Sequence, residues 1–359
     1  MAKNKHASRN GTISLLKFIF SILILMYHIG KVAIGTHRFM VITVGYIAVD
    51  FFFIVSGYYF YNSILKIDKK ENIYHWNLKK TLNRLIKFLP YTIIIYLIGS
   101  VLLFINDKIA INEIFQAIFN TSLLDMSGLY GYTLNGPLWY LSAMIIVFFA
   151  LTPVIYNNLD KYSYYIAPIT ILFGIGYLYH QSESLNIFLT GWNNIIYSGL
   201  IRALVDINIG IIVYELSIKL SINIKENKYK TILLNFIQIT LYILLFTYIL
   251  FYHHEGRMDY IALIIIVIAT ITSFTDRHIN KLLDTRIVRY LEKLSLPVFI
   301  NHFVIIILLN IYLKPNSKYI ITFSLCIIVT LLFSIIEMLV VEKLIDKIKT
   351  ILQKRDNTI

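Results

Sequence analysis

The chain has 359 residues, of which 58% are hydrophobic and only 15% are charged, and its formal net charge is +13. This composition excludes a soluble globular protein, because soluble proteins carry roughly 25% charged residues. Six prolines, 15 glycines and one cysteine also exclude a collagen-like chain, a disordered chain and a disulfide-stabilised scaffold. The long apolar runs therefore predict a protein that is embedded in a lipid bilayer.

Apolar stretches with the length of a membrane-spanning helix, about 17 to 25 residues, occur ten times. We predict an all-α, polytopic integral membrane helix bundle with about ten transmembrane helices and both termini in the cytoplasm. The first run is too long for a cleaved secretion signal and lacks its small-residue cleavage site, so we keep it as a span. The predicted spans are 13–35, 41–65, 88–106, 138–156, 163–180, 195–218, 231–252, 259–274, 295–313 and 319–341.

The distribution of basic residues decides the orientation of these spans. With the N-terminus inside, the cytoplasmic segments hold 25 Lys and Arg residues, the external segments hold six, and two lie within spans. This excess follows the positive-inside rule and explains the net charge better than nucleic-acid binding does. We expect residues 1–345 to form one integral membrane domain and residues 346–359 to form a short basic cytoplasmic tail.

Ionisable side chains within a span are costly unless they are paired or hydrated, so each is a functional candidate. Lys17 and His28 are eleven residues apart on the first predicted helix, which places them on one face with about 16 Å of rise between them. A cation near the cytoplasmic end and an imidazole three turns deeper suit a long ligand such as acyl-CoA, with an anionic head and a reactive tail. The alternative is that Lys17 extends to lipid headgroups and His28 is a hydrogen-bonded packing residue.

Two further charged positions lie in the second and sixth predicted spans. Asp50 stands among apolar and aromatic residues and must find a partner. A contact with His28 would fix the imidazole tautomer and raise its basicity, and the alternative is that Asp50 pairs with Arg202. Arg202 is itself a candidate for binding a sugar or a thioester oxygen, or it pairs with Asp206 one turn further along.

The remaining candidates each have a structural alternative. Trp139 and Tyr140, at an external span end, suit stacking on a sugar ring or an interfacial aromatic belt. His302 lies in the ninth span, where it lines a donor channel or packs in the core. Ser56 is a candidate nucleophile or part of a small-residue helix contact. Glu337 is expected to pair with a Lys, and we predict no functional role for it.

Five separated motifs carry a family resemblance. They are Lys17 with His28, Asp50 to Gly57, Arg84 to Pro90, Gly136 to Leu141, and Ser295 to Phe303. In this order they resemble the membrane acyltransferase-3 family, integral proteins that move acyl groups, commonly acetyl, onto cell-surface sugars. Lys17 and Lys87 stand where the family usually has Arg, and Lys is a point charge whereas Arg presents a planar fork to phosphate.

The resemblance implies a membrane O-acyltransferase that transfers an acyl group from acyl-CoA to a hydroxyl of a cell-surface or exported polysaccharide or glycolipid. It implies His28 and Asp50 as the catalytic residues. The implied donor-binding residues are Lys17, Arg84, Lys87 and His302. The implied residues at the acceptor or the intermediate are Arg202, Trp139 and Ser56. Acyl-CoA is expected as a co-substrate, and neither a bound cofactor nor a metal is expected.

The expected setting is the cytoplasmic membrane of a bacterium. The expected partners are acyl-CoA, a glycan or lipid-linked glycan, and the lipid bilayer; a separate extracytoplasmic protein is a further candidate, because some family members carry such a domain fused to the chain. Two other classes stay open. A transporter or flippase for a sugar-linked lipid is disfavoured by the lack of internal repeats, and a glycan polymerase is disfavoured by a 107–137 loop without Arg or His.

Overall fold

A computed structural model describes residues 9–34, 42–121, 123–128, 134–187, 195–224, 227–276, 278–313 and 319–356. These residues form a helical bundle, so the predicted all-α polytopic fold is confirmed. The helices are α1 (Gly11–His28), α2 (Ala48–Ile64), α3 (Ile73–Ile105), α4 (Ile111–Asn120), α5 (Trp139–Asn157), α6 (Leu159–Lys161), α7 (Ala167–Gln181), α8 (Ser198–Ile224), α9 (Lys228–Phe251), α10 (Met258–Thr275), α11 (His278–Leu283), α12 (Arg286–Tyr312) and α13 (Tyr319–Asp356). The predicted span limits at residues 35 and 41, and the basic residues Arg38, Lys314 and Lys318, lie outside the described residues.

Eight helical stretches of the described chain are long and apolar enough to cross a membrane, and they contain α1, α2, α3, α5, α9, α10, α12 and α13. The fifth and sixth predicted spans correspond to α7 and α8, which are helical but do not meet that criterion. α7 has 15 residues, fewer than the about 20 that cross a bilayer. α8 contains Arg202, Asp206 and Glu215, which lower its hydropathy.

Several helices are longer than the spans predicted for them. α3 begins at Ile73 rather than at residue 88, α12 begins at Arg286 rather than at residue 295, and α13 continues past residue 341 to Asp356. Hydropathy detects only the apolar part of a helix, whereas the basic segments beside it are helical as well because Lys and Arg have favourable helix propensities. The predicted cytoplasmic tail therefore starts within α13.

Closely packed pairs of helices form the interior of the bundle. α1 packs on α12, and α2 packs on α8. A Cβ added at Gly57 or at Gly210 would overlap the backbone of the other helix in the α2–α8 pair. Glycines at such a crossing allow two backbones to approach closely. The predicted small-residue contact beside Ser56 is therefore the contact between α2 and α8.

The surface and the interior of the bundle differ in polarity in the way that a bilayer requires. Phe173, Leu172 and Phe236 are 73%, 69% and 68% exposed, whereas Asp50 and Arg202 are buried. Apolar side chains lie at no cost against lipid, but charged groups must find partners inside the protein.

Candidate active site

Two cavities lie at opposite ends of α1. The His28 cavity, of about 280 Å³, contains His28 and Arg202. The Lys17 cavity, of about 470 Å³, contains Lys17 near the start of the same helix. Other residues at the His28 cavity include Tyr27, Lys31, Tyr46, Trp139, Asn186 and Phe303. Other residues at the Lys17 cavity include Arg9, Ser56, Lys87, Tyr140, Glu292, Lys293 and Glu342.

Phe299 lines both cavities and lies between them. Its ring centroid is 6.2 Å from that of Phe52 and 5.4 Å from that of Tyr140, and the last two are 6.0 Å apart. Such distances are typical of packed aromatic rings. We call these three side chains, from α12, α2 and α5, the aromatic partition. A ligand that reaches from the Lys17 cavity to the His28 cavity must pass it.

His28 contacts other rings rather than a carboxylate. Its ring centroid is 5.1 Å from that of His302 and 5.2 Å from that of Phe303. His302 is fully buried, and its Nδ1 lies 2.7 Å from the Phe299 carbonyl oxygen. This distance assigns the hydrogen to Nδ1, and Nε2 has no hydrogen-bond partner within the described residues. The structure therefore places His302 beside His28 and outside the described lining of the Lys17 cavity, and its role in donor binding stays a prediction.

Asp50 forms a bidentate pair with Arg202. Arg202 Nε donates to Oδ1 at 2.8 Å, Nη2 donates to Oδ2 at 2.6 Å, and both side chains are buried. Nη2 also donates to the Tyr46 carbonyl oxygen at 3.1 Å. The predicted contact of Asp50 with His28 is wrong, and the alternative pairing is confirmed. A guanidinium satisfies both carboxylate oxygens at once, which an imidazole cannot do.

Asp206 belongs to the same buried cluster. It is buried one helical turn after Arg202 on α8. Among the described residues Arg202 forms its ion pair with Asp50, so the predicted pairing of Arg202 with Asp206 is wrong. A buried ion pair avoids the cost of an isolated charge at membrane depth.

Arg202 keeps donors available for a ligand. Its hydrogen bonds within the described residues use Nε and Nη2, which leaves the Nη1 hydrogens for the His28 cavity. The guanidinium lies 5.7 Å over the Trp139 ring. Trp139 is only 6% exposed and packs on Phe53, so it lines an internal cavity and not an interfacial belt.

The mouth of the His28 cavity carries a polar network. Asn186 Nδ2 donates to the Tyr27 hydroxyl at 3.2 Å and to Glu255 Oε1 at 3.0 Å. Lys31 Nζ lies 3.4 Å from the same Glu255 oxygen. Lys31 is in a π-helical segment, Ile29–Ile34, that follows His28 directly. Such wide turns occur frequently at functional sites.

A family model described as an acyltransferase domain matches residues 10–338, nearly the whole chain. The chain belongs to the acyltransferase-3 family. No curated protein and no solved structure gives a significant match. The family and the apolar helices together make this protein a multi-pass membrane acyltransferase. The family match therefore favours acyl-transfer chemistry over the transporter and polymerase alternatives.

The acyltransferase brings two of the predicted donor-binding residues together. Lys17 and Lys87 line the Lys17 cavity, and Lys17 Nζ lies 2.8 Å from Glu292 Oε1. Lys17 therefore points into the protein and does not extend to lipid headgroups. Arg84 is placed elsewhere, because its guanidinium lies 4.5 Å over the Phe148 ring and outside the described lining of this cavity.

Ser56 of the acyltransferase lies in the Lys17 cavity, whereas Arg202 and Trp139, which were predicted with it at the acceptor or the intermediate, line the His28 cavity. Its Oγ is 3.3 Å from the Tyr140 hydroxyl. Within the described residues, no histidine or carboxylate forms a hydrogen bond with Ser56. The arrangement lacks the base that activates a serine nucleophile.

The predicted pairing of Glu337 with a Lys is wrong. Asn301 Nδ2 donates to Glu337 Oε2 at 2.6 Å across the buried contact between α12 and α13. Glu342, nearer the end of α13, takes the lysine instead, since its Oε1 lies 2.8 Å from Lys293 Nζ.

Sequence reasoning missed several residues of the site. Glu292 stands among basic residues at the start of α12, where it resembles a solvated charge. Asn186 lies in a segment between α7 and α8 that has no motif. Phe299 had a signal, because it lies inside the Ser295 to Phe303 motif, three residues before His302.

Proposed function

We propose that this acyltransferase moves an acyl group, expected to be acetyl, from acyl-CoA to a hydroxyl of a cell-surface or exported polysaccharide or glycolipid. The observation that carries the proposal is the placement of Lys17 and His28 on one helix, at two cavities separated by the aromatic partition. A cation-lined site for an anionic head and a histidine beyond a narrow passage suit a long, thin donor. Acyl-CoA has this shape.

The Lys17 cavity suits the nucleotide end of the donor. Its described lining contains four basic side chains and two carboxylates, namely Arg9, Lys17, Lys87, Lys293, Glu292 and Glu342. Basic side chains bind phosphate through charge-assisted hydrogen bonds. Because Lys replaces Arg at two of the family positions, we expect donor binding to depend on charge more than on bidentate geometry and to weaken with salt.

We propose His28 as the general base of the transfer step. Its imidazole takes the proton of the acceptor hydroxyl while the hydroxyl oxygen attacks the thioester carbonyl carbon. The carbon–sulfur bond then breaks, the ester forms, and the thiolate of CoA leaves and takes up a proton. A transient acyl group on His28 is the alternative route. Both routes place His28 at the reacting atoms.

Arg202 and Asp50 have linked roles in this proposal. The Nη1 hydrogens of Arg202 stabilise the oxyanion that develops on the thioester carbonyl. Asp50 orients the guanidinium through its two hydrogen bonds. Asp50 is therefore a positioning residue for Arg202, in place of the direct role beside His28 that the sequence indicated.

The size of the His28 cavity and the few polar groups at its mouth support a small portion of a glycan as acceptor. Its volume of about 280 Å³ lies at the lower limit of ligand pockets, about 300 to 1,000 Å³. One sugar residue with the acyl group fits this size better than an oligosaccharide does. Tyr27 and Asn186 at the mouth offer hydrogen bonds to sugar hydroxyls, and Trp139 offers an aromatic face.

We propose that the protein lies in the cytoplasmic membrane of a bacterium with both termini in the cytoplasm. The 25 basic residues on one side support this orientation. In it, the Lys17 cavity opens to the cytoplasm, where acyl-CoA is made, and the His28 cavity opens to the outside.

Membrane vesicles with radiolabelled acetyl-CoA test the proposal. We expect wild type to transfer label to a surface glycan, and His28→Ala at matched protein level to be slower by at least about 100-fold. His180→Ala is the control, because His180 is an exposed histidine on α7. Full activity of His28→Ala contradicts the mechanism, and a wild type that does not consume the thioester contradicts the function.

A further inference from the structure

Glu292 occupies the donors that a phosphate group would need in the Lys17 cavity. Its Oε1 accepts from Lys17 Nζ at 2.8 Å, and its Oε2 accepts from Ser14 Oγ at 2.8 Å. Arg9 also pairs with Oε2. One carboxylate of α12 therefore satisfies three donors that come from α1 and the residues just before it.

Carboxylate and phosphate compete for such donors, because both bind cations through charged oxygens. An anionic ligand that takes all three of these donors must displace Glu292, and a highly charged ligand has more to gain from the exchange. The Glu292 side chain is 19% exposed, so the released carboxylate has a route to water.

We propose that Glu292 sets the affinity of the donor site: its carboxylate holds Lys17, Ser14 and Arg9 until a polyanionic donor displaces it, and the cost of that displacement weakens donor binding. The inference rests on the proposed function, in which acyl-CoA is the donor.

The cavity contains a matched carboxylate that separates this role from a general charge effect. Glu342 Oε1 lies 2.8 Å from Lys293 Nζ, and the two side chains are 41% and 57% exposed. Glu342→Gln removes the same charge from the same cavity as Glu292→Gln, but it leaves Lys17 paired. A structural clamp between α1 and α12 is the competing role for Glu292, and it predicts no gain in affinity on substitution.

The experiment measures the Kd of CoA and of 3′-dephospho-CoA for the full-length protein in detergent or nanodiscs. We expect Glu292→Gln to bind CoA about tenfold more tightly than wild type, the effect of one released charge-assisted hydrogen bond. We expect the gain for 3′-dephospho-CoA to be no larger than that for CoA, because removing Glu292 cannot return more than the cost of displacing it. Glu342→Gln should tighten CoA binding less than Glu292→Gln does, because exposed ion pairs contribute little.

A second variant keeps the test valid if Glu292→Gln fails to fold. Glu292→Asp keeps the charge but shortens the side chain, so it should weaken the hold on Lys17 and tighten CoA binding by an intermediate factor.

Three results would overturn the inference. CoA affinity that is unchanged or reduced in both Glu292 variants indicates a clamp only and leaves the proposed function intact. Equal tightening in Glu292→Gln and Glu342→Gln indicates only the net charge of the cavity. If wild type and all variants bind no CoA, the proposed donor is wrong, and the inference fails with it.

Discussion

His28 of α1 and His302 of α12 are neighbours whose ring centroids are 5.1 Å apart. His302 is fixed by its hydrogen bond to the Phe299 carbonyl, and Phe299 belongs to the aromatic partition. His302 therefore links the orientation of His28, the proposed base, to the passage between the two cavities.

Replacing His302 with Phe tests this coupling, because the aromatic ring is kept and both ring nitrogens are lost, including the Nδ1 that donates to the Phe299 carbonyl oxygen. We expect kcat to fall by up to about 100-fold, as small misplacements of a reacting group can cost that much. The KM for acyl-CoA should stay near the wild-type value, since His302 lies outside the described lining of the Lys17 cavity. Steady-state transfer kinetics over a range of acyl-CoA concentrations separate the two parameters, and an unchanged kcat would limit His302 to a packing role.

Asp50→Asn should destabilise the protein, because it leaves Arg202 buried without its carboxylate. We expect the free energy of unfolding to fall by about 3 to 5 kcal/mol, the usual effect of breaking a buried pair. The double variant Asp50→Asn with Arg202→Met should recover much of the stability but no transfer activity. Denaturation in detergent and the vesicle assay measure the two properties. Equal instability of the single and double variants would contradict this account.

Phe299→Ala removes one ring of the aromatic partition. We expect a several-fold rise in acyl-CoA hydrolysis without glycan, because a closed site normally keeps water from the thioester. A thiol reagent reports the released CoA. Phe173→Ala is the control, since Phe173 is 73% exposed on the surface of the bundle. If both variants hydrolyse acyl-CoA at the wild-type rate, the partition is not what excludes water.

Asp125 makes stability depend on pH. It lies in a single turn, Asp125–Ser127, between α4 and α5, and burial raises the pKa of its carboxyl group to about 7. The folded protein then holds the proton more tightly than the unfolded chain, so this group's contribution to stability decreases as the pH rises from about 4 to about 7.

Asp125→Asn should remove that part of the pH dependence. We expect the Tm of wild type to fall more than that of the variant between pH 5 and pH 8, and the measurement is thermal unfolding in detergent at several pH values. Parallel Tm curves for the two proteins would contradict the assignment.

The sequence was sufficient to predict a helical membrane bundle, because long apolar runs directly indicate burial in lipid. It was also sufficient to place Lys17 and His28 relative to each other, since the helix repeat fixes the relative position of two residues on one helix. The predicted ends of α3 and α13 were wrong, because hydropathy does not detect helical turns that are rich in basic residues.

The partners of Asp50 and Arg84 depended on contacts between helices, which spacing along the chain does not determine. Asp50 had two candidate partners, and bidentate geometry selects Arg202. Arg84 belongs to a motif with Lys87, three residues further along α3, yet its guanidinium packs on the Phe148 ring of α5 whereas Lys87 lines the Lys17 cavity. Glu292 carried no signal, since its role depends on three groups that lie far away in sequence.

The glycine contacts at Gly57 and Gly210 and the Asp50–Arg202 pair all join α2 to α8. Sliding these helices past each other would separate a buried ion pair and force backbone atoms to collide. We therefore expect α2 and α8 to move as one unit. Phe52 belongs to this pair of helices whereas Phe299 belongs to α12, so we expect a displacement of α12 against the pair to widen the passage.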